Sequence, residues 1–154
     1  MSCDITINAE VRNKETGRWQ LSPEVFEAPY WNEDRSNTTE PFNWQNYTLF
    51  GFLADVRNYS GIPCVSKPKG LPNQMSEHVF QEDLFDYNTH SKSWLTLKEL
   101  LDFDYEKTFV NQREGKCFGK TQSVKEALGE KFFRDLEVMK TLGVPEDVRI
   151  VVWF

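Results

Sequence analysis

The chain has 154 residues and a formal net charge of −6, because 24 acidic side chains outnumber 18 basic ones. This length is typical of one domain with its own hydrophobic core, so residues 1–154 are expected to form a single domain. Proteins that bind nucleic acid neutralise phosphates with clustered lysine and arginine, so the acidic balance argues against a nucleic-acid partner. No apolar run is long enough to span a bilayer, which predicts no membrane partner.

The three cysteines, Cys3, Cys64 and Cys117, are odd in number, widely spaced and without a Cys-x-x-Cys pair. This pattern indicates neither a zinc ribbon nor a disulfide framework. We therefore predict a protein of a reducing cytoplasm that holds no metal and no cofactor.

Two short strands are predicted at the beginning of the chain. Apolar and polar residues alternate over 4–12, the polar run 13–17 ends in glycine, and 18–21 resumes the strand pattern, which together predict a hairpin. The next segment, 22–45, contains three prolines and cannot form a long helix. The aromatic residues of this segment predict a long loop that lies against the rest of the domain, or that serves as a lid or an oligomer contact. The rings are Phe26, Tyr30, Trp31, Phe42 and Trp44.

Helical spacing begins after Asn46, a residue type that often caps a helix N-terminus, and predicts a helix ending near Asn58. A second long loop is predicted over 58–93. Thr96 and Glu99 then match a capping box, which predicts a short helix.

The remainder of the chain predicts the longest helix and a buried strand. Ser123 and Glu126 match another capping box, and apolar residues recur at helical spacing as far as Leu142. Residues 148–154 form a β-rich apolar run, which predicts a strand covered on both faces and paired with the first strand. The predicted fold class is α+β. A small, mostly antiparallel sheet (the N-terminal hairpin plus the C-terminal strand) packs against about three helices.

The segment 56–72 carries Arg57, Lys67 and Lys69 and no acidic residue, on a chain that is acidic overall. Prolines stiffen this loop, and Gly70 permits a close approach of a ligand to the backbone. The lysines and the arginine fork could hold phosphate oxygens, which predicts an anion site. The alternative is that Arg57 caps its helix and the lysines are solvated.

The chain has two histidines, His78 and His90. Neither lies in the His-x-Thr or His-x-Ser motif of two-histidine phosphoesterases, and their spacing to nearby carboxylates matches no zinc site. Ser91 and Ser93 follow His90 closely, and a nucleophilic serine needs such a base at hydrogen-bond distance. The commoner role of these serines is to bond the loop backbone or to cap the next helix.

Several segments resemble a group of small bacteriophage and prophage proteins of unassigned function. The similar segments are 3–5, 45–58, 70–72, 90–100 and 148–154. One departure is Lys92, where several relatives carry a second histidine. The resemblance implies a viral origin, a location in the host cytoplasm and, by analogy, a role in disarming bacterial immunity.

Three functions are expected as alternatives. The first is a non-enzymatic binder, forming homo-oligomers, that sequesters a phosphate-bearing nucleotide signal through one set of residues. That set is Arg57, Asn58, Tyr59, Lys67, Lys69, Gly70, His90, Ser91 and Trp94. The second is an enzyme that cleaves such a nucleotide, with His90 as acid or base and Ser91 or Ser93 assisting. The third is a protein–protein inhibitor of a host factor that binds through 22–45.

Overall fold

The computed structural model describes residues 2–29, 32–34 and 36–154. The strands in this part of the chain are β1 (Thr6–Arg12), β2 (Trp19–Leu21), β3 (Ser93–Thr96), β4 (Thr108–Val110), β5 (Thr121–Ser123) and β6 (Val148–Trp153). The helices there are α1 (Tyr47–Ala54), α2 (Glu77–Phe85), α3 (Leu97–Asp102), α4 (Val124–Leu128) and α5 (Glu130–Lys140), and a 3-10 turn at Pro145–Asp147 precedes β6. The predicted α+β class is confirmed. None of the helices in these ranges is long and apolar enough to cross a lipid bilayer.

The main sheet has four antiparallel strands in the order β2-β1-β6-β3. β6 lies between β1 and β3, so that Val152 is opposite Ile7 on one side and opposite Ser93 on the other. Every residue of β6 is buried. Two predictions are therefore confirmed, namely that the terminal strands pair and that the last strand is covered on both faces. A second, small sheet pairs β4 with β5.

One face of the main sheet carries the larger core. Ile150 and Val152 point to this side, where α1, α3, α4 and α5 cover them. Phe132 of α5 is stacked on Phe42 at a centroid distance of 4.5 Å and lies edge-on to Phe52 at 5.5 Å. Full burial of such a ring contributes roughly 1.5–3 kcal/mol, so this cluster is a main source of stability.

The described part of the proline-rich segment before α1 (22–29, 32–34 and 36–45) lies against the body of the protein, the first of the alternatives expected for it. Phe26 and Phe42 are fully buried. The buried carboxylate of Asp135 accepts a hydrogen bond from the Phe42 amide at 2.9 Å, where the backbone φ is +54°. Two other rings predicted to matter here, Tyr30 and Trp31, lie outside the described residues.

The second face of the sheet is covered by α2, in a stretch for which the sequence predicted a continuous loop (58–93). That prediction was wrong, because polar contacts rather than an apolar stripe anchor this helix. Val79 is its buried apolar residue. The indole N–H of Trp153 donates to the Asp86 carboxylate, at the end of α2, at 2.6 Å. A helix anchored in this way has little of the amphipathic periodicity from which helices are predicted.

Other element bounds also differ from the prediction. α1 ends at Ala54, earlier than expected, because Asp55 adopts a left-handed conformation with φ of +58°. The long helix predicted after Ser123 is broken at Gly129, whose φ of +82° separates α4 from α5. Both predicted capping boxes are present. β3 and the β4–β5 sheet were not predicted, since strands of three or four residues show too little alternation.

Candidate functional site

A cleft of about 600 Å³ opens between the β1–β2 turn, the loop before α2 and the edge strand β3. Its floor is the second face of the sheet, where Trp19 of β2, Arg149 of β6 and Trp94 of β3 lie together. Arg18 and Lys69 line the same cleft. Ligand pockets commonly measure about 300–1,000 Å³, so this one, the tryptophan cleft, has the size for a nucleotide.

Strand register brings the floor residues together. Glu10 of β1 lies opposite Arg149 of β6, and Arg12 of β1 lies opposite Trp19 of β2. Alternate residues of a strand share a face, so Glu10 and Arg12 point the same way, as do their partners. The Cζ atom of Arg149 is 4.0 Å from the ring centroid of Trp19 and 6.0 Å from that of Trp94. A guanidinium at these distances is attracted to both rings.

Arg149 is buried and already paired with a carboxylate. Its Nε donates to Glu10 Oε1 at 2.8 Å, and its Nη2 donates to the backbone carbonyl of Gln74. The other Glu10 oxygen accepts from the Ser76 amide at 2.7 Å. Burial lowers the pKa of Arg149, and the Glu10 carboxylate opposes that shift. The ion pair therefore positions Trp19 and the loop before α2 and does not offer a free charge to a ligand.

Two cations at the rim are more available. The Lys69 Nζ lies 4.1 Å from the Trp94 ring centroid and 2.7 and 2.8 Å from the two carboxylate oxygens of Glu99. Partly exposed ion pairs of this kind contribute about 0–1 kcal/mol, so a ligand phosphate can compete with Glu99 at small cost. Arg18 is exposed and has no carboxylate partner in the described part of the chain.

Backbone contacts tie the predicted anion loop to β3. The Lys69 amide donates to the Ser93 hydroxyl at 3.1 Å, and the Gly70 amide donates to the Lys92 carbonyl at 2.8 Å. Gly70 has a φ of +83°, a conformation that favours glycine. Ser93 is buried and bonds the loop backbone, which is the commoner of the two roles considered for it.

The nine ligand-binding residues predicted from the sequence fall at three places. Lys69 and Trp94 line the tryptophan cleft, and Gly70 lies in the loop beside it. Lys67 and Asn58 lie beyond the end of α1, away from the floor of the cleft. The other four form a second cluster, which also contains Tyr47 and Cys3. They are Arg57, Tyr59, His90 and Ser91.

Lys67 and Asn58 brace the chain after α1. Each donates a hydrogen bond of 2.8 Å to the carboxylate of Asp55, and these bonds hold the pKa of Asp55 below its usual value. Asn58 also donates to the Ile62 carbonyl at 2.8 Å, and its side chain packs so closely that a Cβ on Gly51 would lie 2.8 Å from it. The Asn58 contacts are part of the fold, whereas Lys67 is exposed and forms a surface ion pair with Asp55.

His90 lies in the second cluster, beside Ser91 and Cys3. Its Nδ1 is 2.9 Å from the Ser91 hydroxyl, and its Nε2 is 4.0 Å from the Cys3 sulfur. The backbone of His90 pairs in both directions with Phe154, just beyond β6. Across residues 2–29, 32–34 and 36–154, no three His, Cys, Asp or Glu side chains are grouped as metal ligands would be.

Sequence reasoning missed Trp19, Arg149 and Arg18 as site residues. A signal existed for Arg149, because a lone charge in a buried strand must find a buried partner. No local signal marks Trp19, since its approach to Trp94 depends on the order of the strands. Comparison of the chain with protein-family models, with curated proteins and with solved structures gave no match.

Proposed function

We propose that this chain is a phage-encoded binder that sequesters a nucleotide-type immune signalling molecule in the tryptophan cleft. One observation carries the proposal: two indole rings, Trp19 and Trp94, share a cleft of about 600 Å³ with the cations of Arg18 and Lys69. Bases stack on aromatic rings in a sequence-tolerant way, and lysine and arginine hold phosphate oxygens. The cleft supplies both kinds of contact.

Two parts of the ligand would make different contacts in the cleft. Its base would lie against the exposed part of an indole, while Arg18 and Lys69 would hold its phosphates at the rim. Gln74 shapes the wall, because its side chain accepts from the Trp19 amide at 2.6 Å and donates to the Met75 carbonyl at 2.7 Å. The exposed amide of Asn73 lines the cleft and can bond to base edges.

The cleft favours binding over cleavage. Among the described residues that line it, none is His, Cys, Ser, Asp or Glu. General acid–base and nucleophilic catalysis most often use such groups, and Lys69, the lysine of the lining, is paired with Glu99. A ligand bound there is therefore expected to leave the protein unchanged.

The test is calorimetric titration with cyclic dinucleotides, ADP-ribose isomers and mononucleotides, followed by heat release and mass spectrometry of the ligand. Trp94→Ala should weaken binding roughly 5- to 150-fold, because stacking of a base contributes about 1–3 kcal/mol. Arg18→Gln should weaken binding and flatten its salt dependence. The matched controls are Tyr87→Ala, an exposed ring elsewhere, and Lys14→Gln, in the same turn as Arg18. Wild-type affinity in Trp94→Ala would refute binding in the cleft.

An enzymatic alternative rests on the contact of 2.9 Å between His90 Nδ1 and the Ser91 hydroxyl. A serine at this distance from an imidazole can lose its proton to it, which makes phosphodiester cleavage a second candidate. It predicts that released ligand is altered, and that His90→Ala and Ser91→Ala both stop the change. Unaltered ligand after prolonged incubation with wild type would remove this candidate.

A protein-binding alternative is favoured by α2 and the residues that follow it. Phe80, Leu84, Phe85 and Tyr87 are 47% to 77% exposed, whereas Phe26 and Phe42 of the segment first expected to bind a partner are buried. Exposed apolar groups of this size often mark an interface, with a host protein or with a second copy of the chain. Leu84→Lys should abolish such a complex, or the expected homo-oligomer, without changing ligand binding in the cleft.

A further inference from the structure

A second group of cations meets around Tyr47, the first residue of α1. Arg57, just after α1, places its Cζ 5.8 Å from the centroid of the Tyr47 ring. Arg113, in the loop between β4 and β5, places its Cζ 5.5 Å from the same centroid. Two guanidinium groups from distant parts of the chain therefore converge on one ring.

Neither guanidinium has a carboxylate partner in the part of the chain that the structure describes. Arg12 and Arg149, by contrast, each form an ion pair with an acid. The Arg57 guanidinium instead donates to the Tyr59 hydroxyl at 3.1 Å. Both groups therefore lack a counterion in this part of the chain, and a bound anion would supply one.

The fold holds this arrangement in place. The Tyr47 hydroxyl accepts from the Cys3 amide at 3.2 Å, and the Tyr59 ring lies edge-on to the Tyr47 ring at 5.9 Å. Arg57 has a φ of +48° and Ser91 a φ of +55°, both left-handed and neither glycine. Such conformations are strained and persist where the surrounding structure imposes them, often at ligand sites.

A cavity of about 310 Å³ is lined by Tyr47 and Arg113, and Arg57 lies outside this lining, against the Tyr47 ring. The segment before β1 and the residues before α1 complete its wall, and Gln45 is fixed there because it accepts from the Ile5 amide at 3.0 Å. Asp4 also lines the cavity and brings one negative charge. The volume is at the small end of the range for ligand pockets, which suits a compact group rather than a whole dinucleotide.

We propose that Arg57 and Arg113 form a binding site for a phosphate group, either free phosphate or a phosphomonoester. The guanidinium fork matches two phosphate oxygens at once, and two forks outweigh the single carboxylate of Asp4. The site is separate from the tryptophan cleft. The two linings share no residue.

The test is calorimetric titration of the full chain with inorganic phosphate and, separately, with ribose 5-phosphate. Arg57→Gln and Arg113→Gln should each weaken binding of the tighter probe by about 10-fold or more, because each removes charge-assisted hydrogen bonds. Lys116→Gln, an exposed cation in the same loop as Arg113, is the matched control and should bind as wild type does. Arg57→Lys keeps the charge but loses the fork, so it should also bind more weakly. Circular dichroism of each variant excludes unfolding as the cause.

The outcomes separate the two ligand sources and the two sites. Tighter binding of ribose 5-phosphate identifies a phosphomonoester site, and equal binding identifies a site for free phosphate; both support the proposal. It is overturned if wild type binds neither probe, if folded Arg57→Gln and Arg113→Gln bind both as wild type does, or if Lys116→Gln loses as much affinity. Trp94→Ala should leave phosphate binding unchanged, and a loss in that variant would overturn a site separate from the tryptophan cleft.

Discussion

The buried pair of Glu10 and Arg149 gives the sharpest test of how the tryptophan cleft is held together. Glu10 is 0% exposed and Arg149 is 4% exposed, and Glu10 uses both carboxylate oxygens, one for Arg149 and one for the Ser76 amide. In Glu10→Gln, the glutamine side chain has nearly the same shape as glutamate but only one acceptor oxygen. One of the two partners must therefore lose its bond, and Arg149 keeps a buried charge with no counterion.

Removing one member of a buried ion pair costs about 3–5 kcal/mol, a large share of the roughly 5–15 kcal/mol by which a domain is stable. We expect Glu10→Gln to lower the free energy of unfolding by that amount in urea denaturation followed by circular dichroism. Glu99→Gln, at the partly exposed pair with Lys69, is the control and should cost about 1 kcal/mol or less.

A double variant sharpens the test. Arg149→Met alone leaves the Glu10 carboxylate buried without its partner, whereas Glu10→Gln with Arg149→Met leaves no buried charge. The double variant should therefore be destabilised by clearly less than the sum of the two single variants. If Glu10→Gln costs no more than Glu99→Gln, or if the two single effects simply add, the pair does not hold the cleft as argued.

Three further outcomes are expected. Burial raises the pKa of Asp135 above its usual 3.8, so the stability that its protonated form contributes is lost as pH rises through the folded-state pKa. The free energy of unfolding of Asp135→Asn, relative to that of wild type, should therefore rise above about pH 4. A difference between the two proteins that stays constant up to pH 7 would contradict this. Gly51→Ala places a Cβ 2.8 Å from Asn58 and should cost about 1–3 kcal/mol in urea denaturation, with no cost if that contact is loose. Trp153→Phe removes the indole bond to Asp86 and should cost about 1–2 kcal/mol, while equal stability would show that the bond contributes nothing.

Local patterns predicted the elements whose burial is periodic. Alternation identified β1 and the apolar run identified β6, and the capping boxes at Thr96 and Ser123 located the starts of α3 and α4. α2 was not predicted from the sequence because its buried apolar residue is Val79 and its other contacts with the sheet are polar. A contact between polar groups on the sheet and on a helix produces no repeating pattern of apolar residues along either the strand or the helix.

The candidate sites show the same limit. Lys69 and Trp94 were predicted because a basic loop and a nearby ring are visible locally. Arg149 meets Trp19 only through strand order and register, and Arg113 meets Tyr47 only through the packing of the β4–β5 loop on α1. Convergence of residues that are far apart in sequence is a property of topology, which a single sequence does not reveal.

The polar anchoring of α2 has a consequence for motion. Asn8 donates to Glu82 at 2.6 Å and Lys92 to Asp83 at 2.7 Å, so water can replace much of what holds this helix to the sheet. Local opening needs less free energy where few apolar contacts are broken, so amide hydrogens of α2 should exchange well before those of β6. Because the loop that leads into α2 also forms a wall of the tryptophan cleft, a ligand bound there would slow this exchange. α2 would then report occupancy of a cleft that it does not itself line.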